Sequence, residues 1–175
     1  MAKILIIYST TDGHTREICL RLKQIAEALN NQVTLVSVNE ANTVELNSFD
    51  KVVIGASIRY GKHSKQIYAF VKEHRQVLDS KPNAFFSVNV VARKPEKNTP
   101  ETNPYLKKFL RQISWKPRKL AVFAGKIDYK KYKFLDRFMI RLIMRMTKGP
   151  TDPETNIDFT NWDQVAEFGQ FIHDM

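Results

Sequence analysis

Ile4-Leu5-Ile6-Ile7-Tyr8 runs directly into Ser9-Thr10-Thr11-Asp12-Gly13-His14-Thr15. A short continuous apolar run bounded by a hydroxyl-rich turn fits a strand covered on both faces. Beyond the turn, Ile18, Leu22, Ile25, Ala26 and Leu29 recur at three- and four-residue spacing until Asn30-Asn31, which predicts a helix. The start of a helix leaves several backbone N–H groups without an intrahelical acceptor, and the helix dipole adds positive potential there. Strand, hydroxyl turn and helix start together predict an anion site of the phosphate type. Small hydroxyl residues donate to phosphate oxygens without blocking the backbone, and Gly13 accommodates a positive φ. The same residues also suit an ordinary Ser/Thr/Asp helix cap.

The six glycines of the chain form neither G-x-G-x-x-G nor G-x-x-x-x-G-K-[ST], which argues against a dinucleotide fold and a P-loop and in favour of a monophosphate. Further apolar runs predict strands over residues 33–38, 51–56, 83–91 and 119–124. A helix is predicted over residues 64–78, capped by Ser64 and apolar at Ile67, Phe70, Val71 and Leu78. The last helix begins near Thr160-Asn161, with Trp162, Val165, Phe168 and Phe171 on its inner side. Strands alternating with helices predict an α/β domain over residues 1–175, a doubly wound five-stranded parallel sheet in the order 2-1-3-4-5. In that order a ligand lies beyond the carboxyl ends of strands 1 and 3, where loops 9–15, 57–63 and 87–95 converge.

With 175 residues the chain is long enough to bury about 70% of its unfolded surface. Its first apolar run is too short for a signal-peptide core or a membrane span. The single Cys19 excludes an intrachain disulfide, and its place on the apolar side of the first helix suits packing. His14, His63, His74 and His173 make no metal-binding spacing with it or with paired carboxylates. The net charge of +10 is unevenly placed: residues 93–150 hold 17 Lys/Arg against 4 Asp/Glu, and the remainder holds 11 against 14. A basic half on a slightly acidic scaffold points to an anionic partner, whether nucleic acid, anionic lipid or a carboxylate-bearing substrate.

The stretch Tyr8 to Thr15 resembles the FMN phosphate loop of the flavodoxins. Three further stretches narrow the likeness: Ile54 to Gly61, Phe86 to Lys97, and Tyr132 to Met146 with its Asp136-Arg137-Phe138-Met139-Ile140 core. They resemble the quinone-dependent protoporphyrinogen IX dehydrogenases, flavodoxin-like enzymes of bacterial haem synthesis. This resemblance implies FMN as cofactor, protoporphyrinogen IX as hydrogen donor, and menaquinone or ubiquinone as acceptor, at the cytoplasmic face of the inner membrane. It places the FMN phosphate on Thr10, Thr11, Asp12, Gly13, His14 and Thr15. Ser57 and Tyr60 then form a second wall, and Ser87, Val88, Asn89 and Val90 a third. Asp12 stands where flavodoxins often carry Thr, so its carboxylate is expected to turn outward and cap the helix. Tyr60 offers a stacking face to the flavin or packs on its own loop. No aromatic stands in the third loop, which leaves one flavin face open to a bulky substrate. Arg59, Arg93, Lys94 and Lys97 are available to substrate propionates, or form a solvated rim. His63 is expected near the flavin mouth, as a proton relay or as a bystander.

After the fifth strand, residues 126–150 form a basic helical insertion. Phe134, Leu135, Phe138, Met139, Leu142, Ile143 and Met146 follow helical spacing, with Arg137, Arg141, Arg145 and Lys148 on another side. Three readings stay open. The helix packs on its own domain or on a second subunit as a homo-oligomer, lies on an anionic membrane surface, or binds another partner through the Lys-Tyr interleaving at residues 129–134, and the enzyme reading favours the membrane or a lid over the substrate. The competing functions are an electron-carrier flavodoxin or general quinone reductase, and a basic membrane- or nucleic-acid-binding module on the same scaffold. Carriers of this kind are generally acidic, whereas this chain has a pI near 9.7. Nucleic acid is not expected under the enzyme reading.

Overall fold

The structure, a computed structural model, describes residues 1–175. Strands β1 (Lys3–Ser9), β2 (Gln32–Ser37), β3 (Lys51–Ser57), β4 (Asn83–Asn89) and β5 (Lys119–Ala124) form one parallel sheet in the order β2-β1-β3-β4-β5, as predicted. Alternate residues of each central strand serve opposite layers. Leu5, Ile7, Val52, Ile54 and Phe85 enter one core, and Ile4, Ile6, Val53, Ala84 and Phe86 enter the other. Burial on both faces explains why these strands read as unbroken apolar runs. Gly55 is required by packing, since a Cβ there would lie 2.1 Å from Phe86 Cζ.

Helices α1 (His14–Ala28) and α6 (Trp162–Asp174) cover one face of the sheet, and α2 (Lys65–Glu73), α3 (Arg75–Ser80) and α4 (Pro104–Gln112) lie on the other. The helix predicted over 64–78 is therefore two, divided at His74, whose backbone (φ −102°, ψ 15°) leaves the helical region. Ser64 does cap α2, accepting from Ile67 N at 3.4 Å. The inner side of α6 is Val165, Phe168 and Ile172, while Phe171 is half-buried. Trp162, predicted to face inward, occupies the first turn, is 37% exposed, and donates from Nε1 to Asp158 Oδ2 at 3.1 Å.

The insertion is longer than predicted. It opens with strand β6 (Lys126–Asp128), continues through α5 (Phe134–Met146), and closes with β7 (Asn156–Asp158), which pairs antiparallel with β6. A small core of Ile127, Tyr129, Tyr132 and Met144 holds it together. Most of the apolar residues of α5 remain outside that core: Phe134 is 82% exposed, Phe138 61% and Met146 77%. No helix of the chain is long and apolar enough to cross a membrane.

Candidate functional site

The carboxyl ends of β1, β3 and β4 open into one cleft. Thr10, Thr11, Asp12, His14 and Thr15 line its first side, Ser57 to Gly61 its second, and Val88 to Val91 its third. The first loop turns at Gly13, which adopts a left-handed φ of 90°, and Gly13 N donates to Thr10 Oγ1 at 3.0 Å. No side chain caps α1, so the N–H groups of its first turn remain open toward the loop. Thr15 is buried, and its Oγ1 has no hydrogen-bond partner. A buried hydroxyl left unpaired costs about 1–3 kcal/mol, which a ligand oxygen at that spot would recover.

Asp12 does not cap the helix. Its carboxylate instead meets Arg59 Nη2 at 2.5 Å, which ties the first loop to the second. Burial pushes the Asp12 carboxyl above its ordinary pKa, against the opposing pull of Arg59. Arg59 is thus already paired rather than free for a substrate carboxylate, and its guanidinium lies 5.5 Å from the Tyr132 ring and 5.9 Å from that of Tyr60. Tyr60, at φ 50°, stands at the lip of the cleft and donates its hydroxyl to Asp136 of α5. His14 lines the cleft but directs both ring nitrogens elsewhere. Nδ1 lies 3.1 Å from Glu17, and Nε2 lies 2.6 Å from Thr160 Oγ1, which itself donates to Ala124 O.

Several expected contacts are absent from the third side. Ser87 lies beneath the cleft, fully buried, with its Oγ 2.9 Å from His63 Nε2. His63 is not at the mouth but is packed against Phe85 and Phe109, where burial lowers its pKa to about 3 and keeps it neutral. Arg93 donates to Val90 O and, through Nη2, to Thr147 O and Oγ1, so it joins the third loop to the end of α5 instead of presenting a free charge. Lys94 and Lys97 do not line the cleft. Arg137 and Arg141 are spent on the backbone carbonyls of Tyr129 (3.0 Å) and Thr151 (2.6 Å), while Arg145 stays exposed.

The insertion supplies a fourth wall, through residues that the sequence did not single out as cleft-lining. Tyr132, Ile140, Ile143, Met144 and Thr147 of the insertion, with Tyr105 of α4, close the cleft opposite the strand ends. The periodicity of α5 marked its apolar stripe, but nothing in one sequence indicates that the stripe divides between cleft and solvent. The cleft therefore has an open helix start with an orphan hydroxyl at one end and apolar side chains at the other. Such a site suits a flat ring carried on a phosphate.

Residues 5–154 match the flavodoxin domain family. The chain is 47% identical over 170 residues to the protoporphyrinogen IX dehydrogenase [quinone] of Escherichia coli K12, covering 97% of this chain and 94% of that one. A relative of the same name from Leishmania major is 44% identical over 95% of this chain and 72% of its own length. Among solved structures, flavodoxin 1 of Bacillus cereus superposes with a TM-score of 0.54 at 12% identity, covering 99% and 98% of the two chains. An archaeal flavodoxin gives 0.53 at 14%, covering 98% and 96%. At such identities the likeness is one of fold.

Proposed function

Because the chain belongs to the flavodoxin domain family, we propose that it holds FMN in this cleft and oxidises protoporphyrinogen IX to protoporphyrin IX, passing the electrons to a membrane quinone. The observation that supports the reading best is the pairing of an uncapped α1 and the orphan Thr15 hydroxyl with an apolar wall supplied by the insertion. FMN, when bound, supplies the hydrogen-accepting chemistry. The chain's part is to bind and orient. The remaining free N–H groups of residues 10–15 and the Thr15 hydroxyl would hold the phosphate, and Ile58, Tyr60, Val88 and Val90, which line the cleft, would receive the ring. Asp12 is neutralised by Arg59, which keeps its charge from repelling the phosphate.

The same reading accounts for α5. One turn of the helix faces the cleft through Ile140, Ile143 and Met144, while Leu135, Phe138 and Leu142 face out. Porphyrinogen and quinone are poorly soluble in water, and an exposed apolar helix face with exposed Lys131, Lys133 and Arg145 on the same insertion, Lys130 being paired with Glu154, fits the surface of an anionic bilayer. The proposal therefore includes peripheral attachment to the cytoplasmic face of a bacterial inner membrane. FMN-loaded protein mixed with protoporphyrinogen and a menaquinone or ubiquinone analogue is expected to produce porphyrin fluorescence faster than protein stripped of flavin. Equal rates with and without FMN would sink the proposal. Reduction of the flavin by a carrier protein, with no porphyrin formed, would favour the electron-carrier alternative.

A further inference from the structure

Beneath the third wall lies a closed set of buried amides. Asn103, just before α4, is fully buried, and its Oδ1 accepts from Tyr105 N at 3.2 Å and Leu106 N at 3.1 Å. Its Nδ2 donates the other way, to Asn89 Oδ1 at 3.0 Å and Lys97 O at 2.9 Å. Asn89, buried at the end of β4, uses the same Oδ1 to accept from Ala92 N at 3.1 Å. Its Nδ2 donates to Ser87 Oγ at 3.2 Å, which in turn meets the neutral His63, and makes a longer bond to Asn103 Oδ1 at 3.4 Å. All four amide heteroatoms of the two asparagines are engaged, so each amide has one satisfied orientation. The turn carrying Val90 and Val91 hangs from Asn89, and the segment running to Lys97 hangs from Asn103.

We propose that Asn103 is a positioning residue for the cofactor: from outside the cleft, and through Asn89, it sets the backbone of residues 88–93 against which the flavin ring rests. This rests on the FMN reading above. The two halves of the Asn103 amide do different main jobs, although Oδ1 also takes the longer bond from Asn89 Nδ2. The oxygen caps α4, a task that serine performs equally well. The nitrogen holds the loop, a task that serine cannot perform at that reach. Once Nδ2 is gone, the Asn89 amide can turn over and present a donor to Ala92 N, and the turn loses its anchor.

The test compares Asn103→Ser with Asn83→Ser. Asn83 stands at the opposite end of β4 and is equally buried, bonding to Leu78 O, Lys81 O and Arg118 N. FMN affinity is read from quenching of flavin fluorescence, the reduction potential of the bound flavin by dye equilibration, and the stability of the FMN-free proteins by urea. Asn103→Ser is expected to bind FMN at least tenfold more weakly and to shift the potential, while Asn83→Ser stays within twofold of the parent even where both lose stability. An unchanged affinity in folded Asn103→Ser overturns the proposal, and so does an equal loss in Asn83→Ser. If Asn103→Ser does not fold, the parent protein still decides. Its Ala92 amide must exchange as slowly as the core amides of β4 and slow further with FMN, and exchange at the rate of an exposed loop overturns the proposal. A parent protein that takes up no FMN removes the cofactor reading as well, which the variant comparison alone does not.

Discussion

Thr15 and His63 show how single side chains divide between binding and stability. The Thr15 hydroxyl is buried without a partner, so Thr15→Val removes an unsatisfied group from the empty protein and a phosphate donor from the loaded one. The FMN-free variant should be at least as stable as the parent, whereas FMN should bind about 10- to 100-fold more weakly, as the loss of a hydrogen bond to a charged group implies. Urea unfolding and flavin titration check the two halves separately, and undiminished affinity would place the phosphate elsewhere. His63 makes an opposite kind of prediction. Its folded pKa of about 3 lies below the unfolded value near 6.5, so the unfolded chain binds the extra proton between those limits. Stability should therefore fall as the pH is lowered from 6.5 toward 3. The loss attributable to this residue at pH 5 is about 2 kcal/mol. His63→Gln should flatten that part of the pH dependence by the same amount, measured by urea unfolding at pH 7 and pH 5.

At the scale of the element, α5 carries the next prediction. Because Phe138 and Leu142 are exposed and touch neither core, replacing both with Ser should change unfolding free energy by no more than about 0.5 kcal/mol per site. Sedimentation with anionic vesicles should nevertheless be lost. Reversing Arg137 and Arg141 to Glu is a less informative experiment than their place on a basic stripe suggests. Both guanidinium groups hold backbone carbonyls of the insertion, so their loss would loosen the helix itself. Arg145→Glu leaves the helix intact and should weaken only the salt-sensitive part of binding, by about 1 kcal/mol. The span of α5 was legible in the sequence because its apolar residues repeat over more than three turns, and the sheet was legible because each central strand is buried on both sides. Neither β6 nor β7 was, since strands of three residues carry no period. Helix α4 did announce itself, with Asn103 as cap, Pro104 in the first turn, and Leu106 and Phe109 one turn apart. No helix was predicted there, although α4 has the same nine residues as α2. Within the cleft, the strand, hydroxyl-rich turn and helix start of the first loop were legible from local order, but the partners of Asp12 and Arg93 lie 47 and 54 positions away along the chain. Pairings at that separation are products of the fold.

The whole molecule combines a sheet domain with an insertion that completes one wall of its cleft. Neither large core contains a buried residue from 126–158, and the insertion has its own cluster around Tyr129 and Tyr132. Its ends also meet, since Lys126 pairs with Asp158 across β6 and β7, and Phe159 N donates to Gly125 O at 3.1 Å. Antiparallel partners lie about 5 Å apart, a gap that a two-residue turn spans. Replacing residues 127–157 with Asn-Gly should therefore leave a protein that unfolds in one cooperative step. The phosphate loop and the strand ends would remain, so FMN should still bind, but more weakly, because Tyr132, Ile140 and Met144 no longer shield the ring. Arg59 would keep Asp12 but lose Tyr132, and Tyr60 would lose Asp136, so the second loop should become more mobile. Vesicle sedimentation should disappear and porphyrin formation with quinone should fall at least tenfold. Porphyrin formation at the parental rate by the shortened protein would show that the insertion serves neither substrate nor membrane. Failure to unfold cooperatively would show instead that the sheet domain depends on the wall it carries.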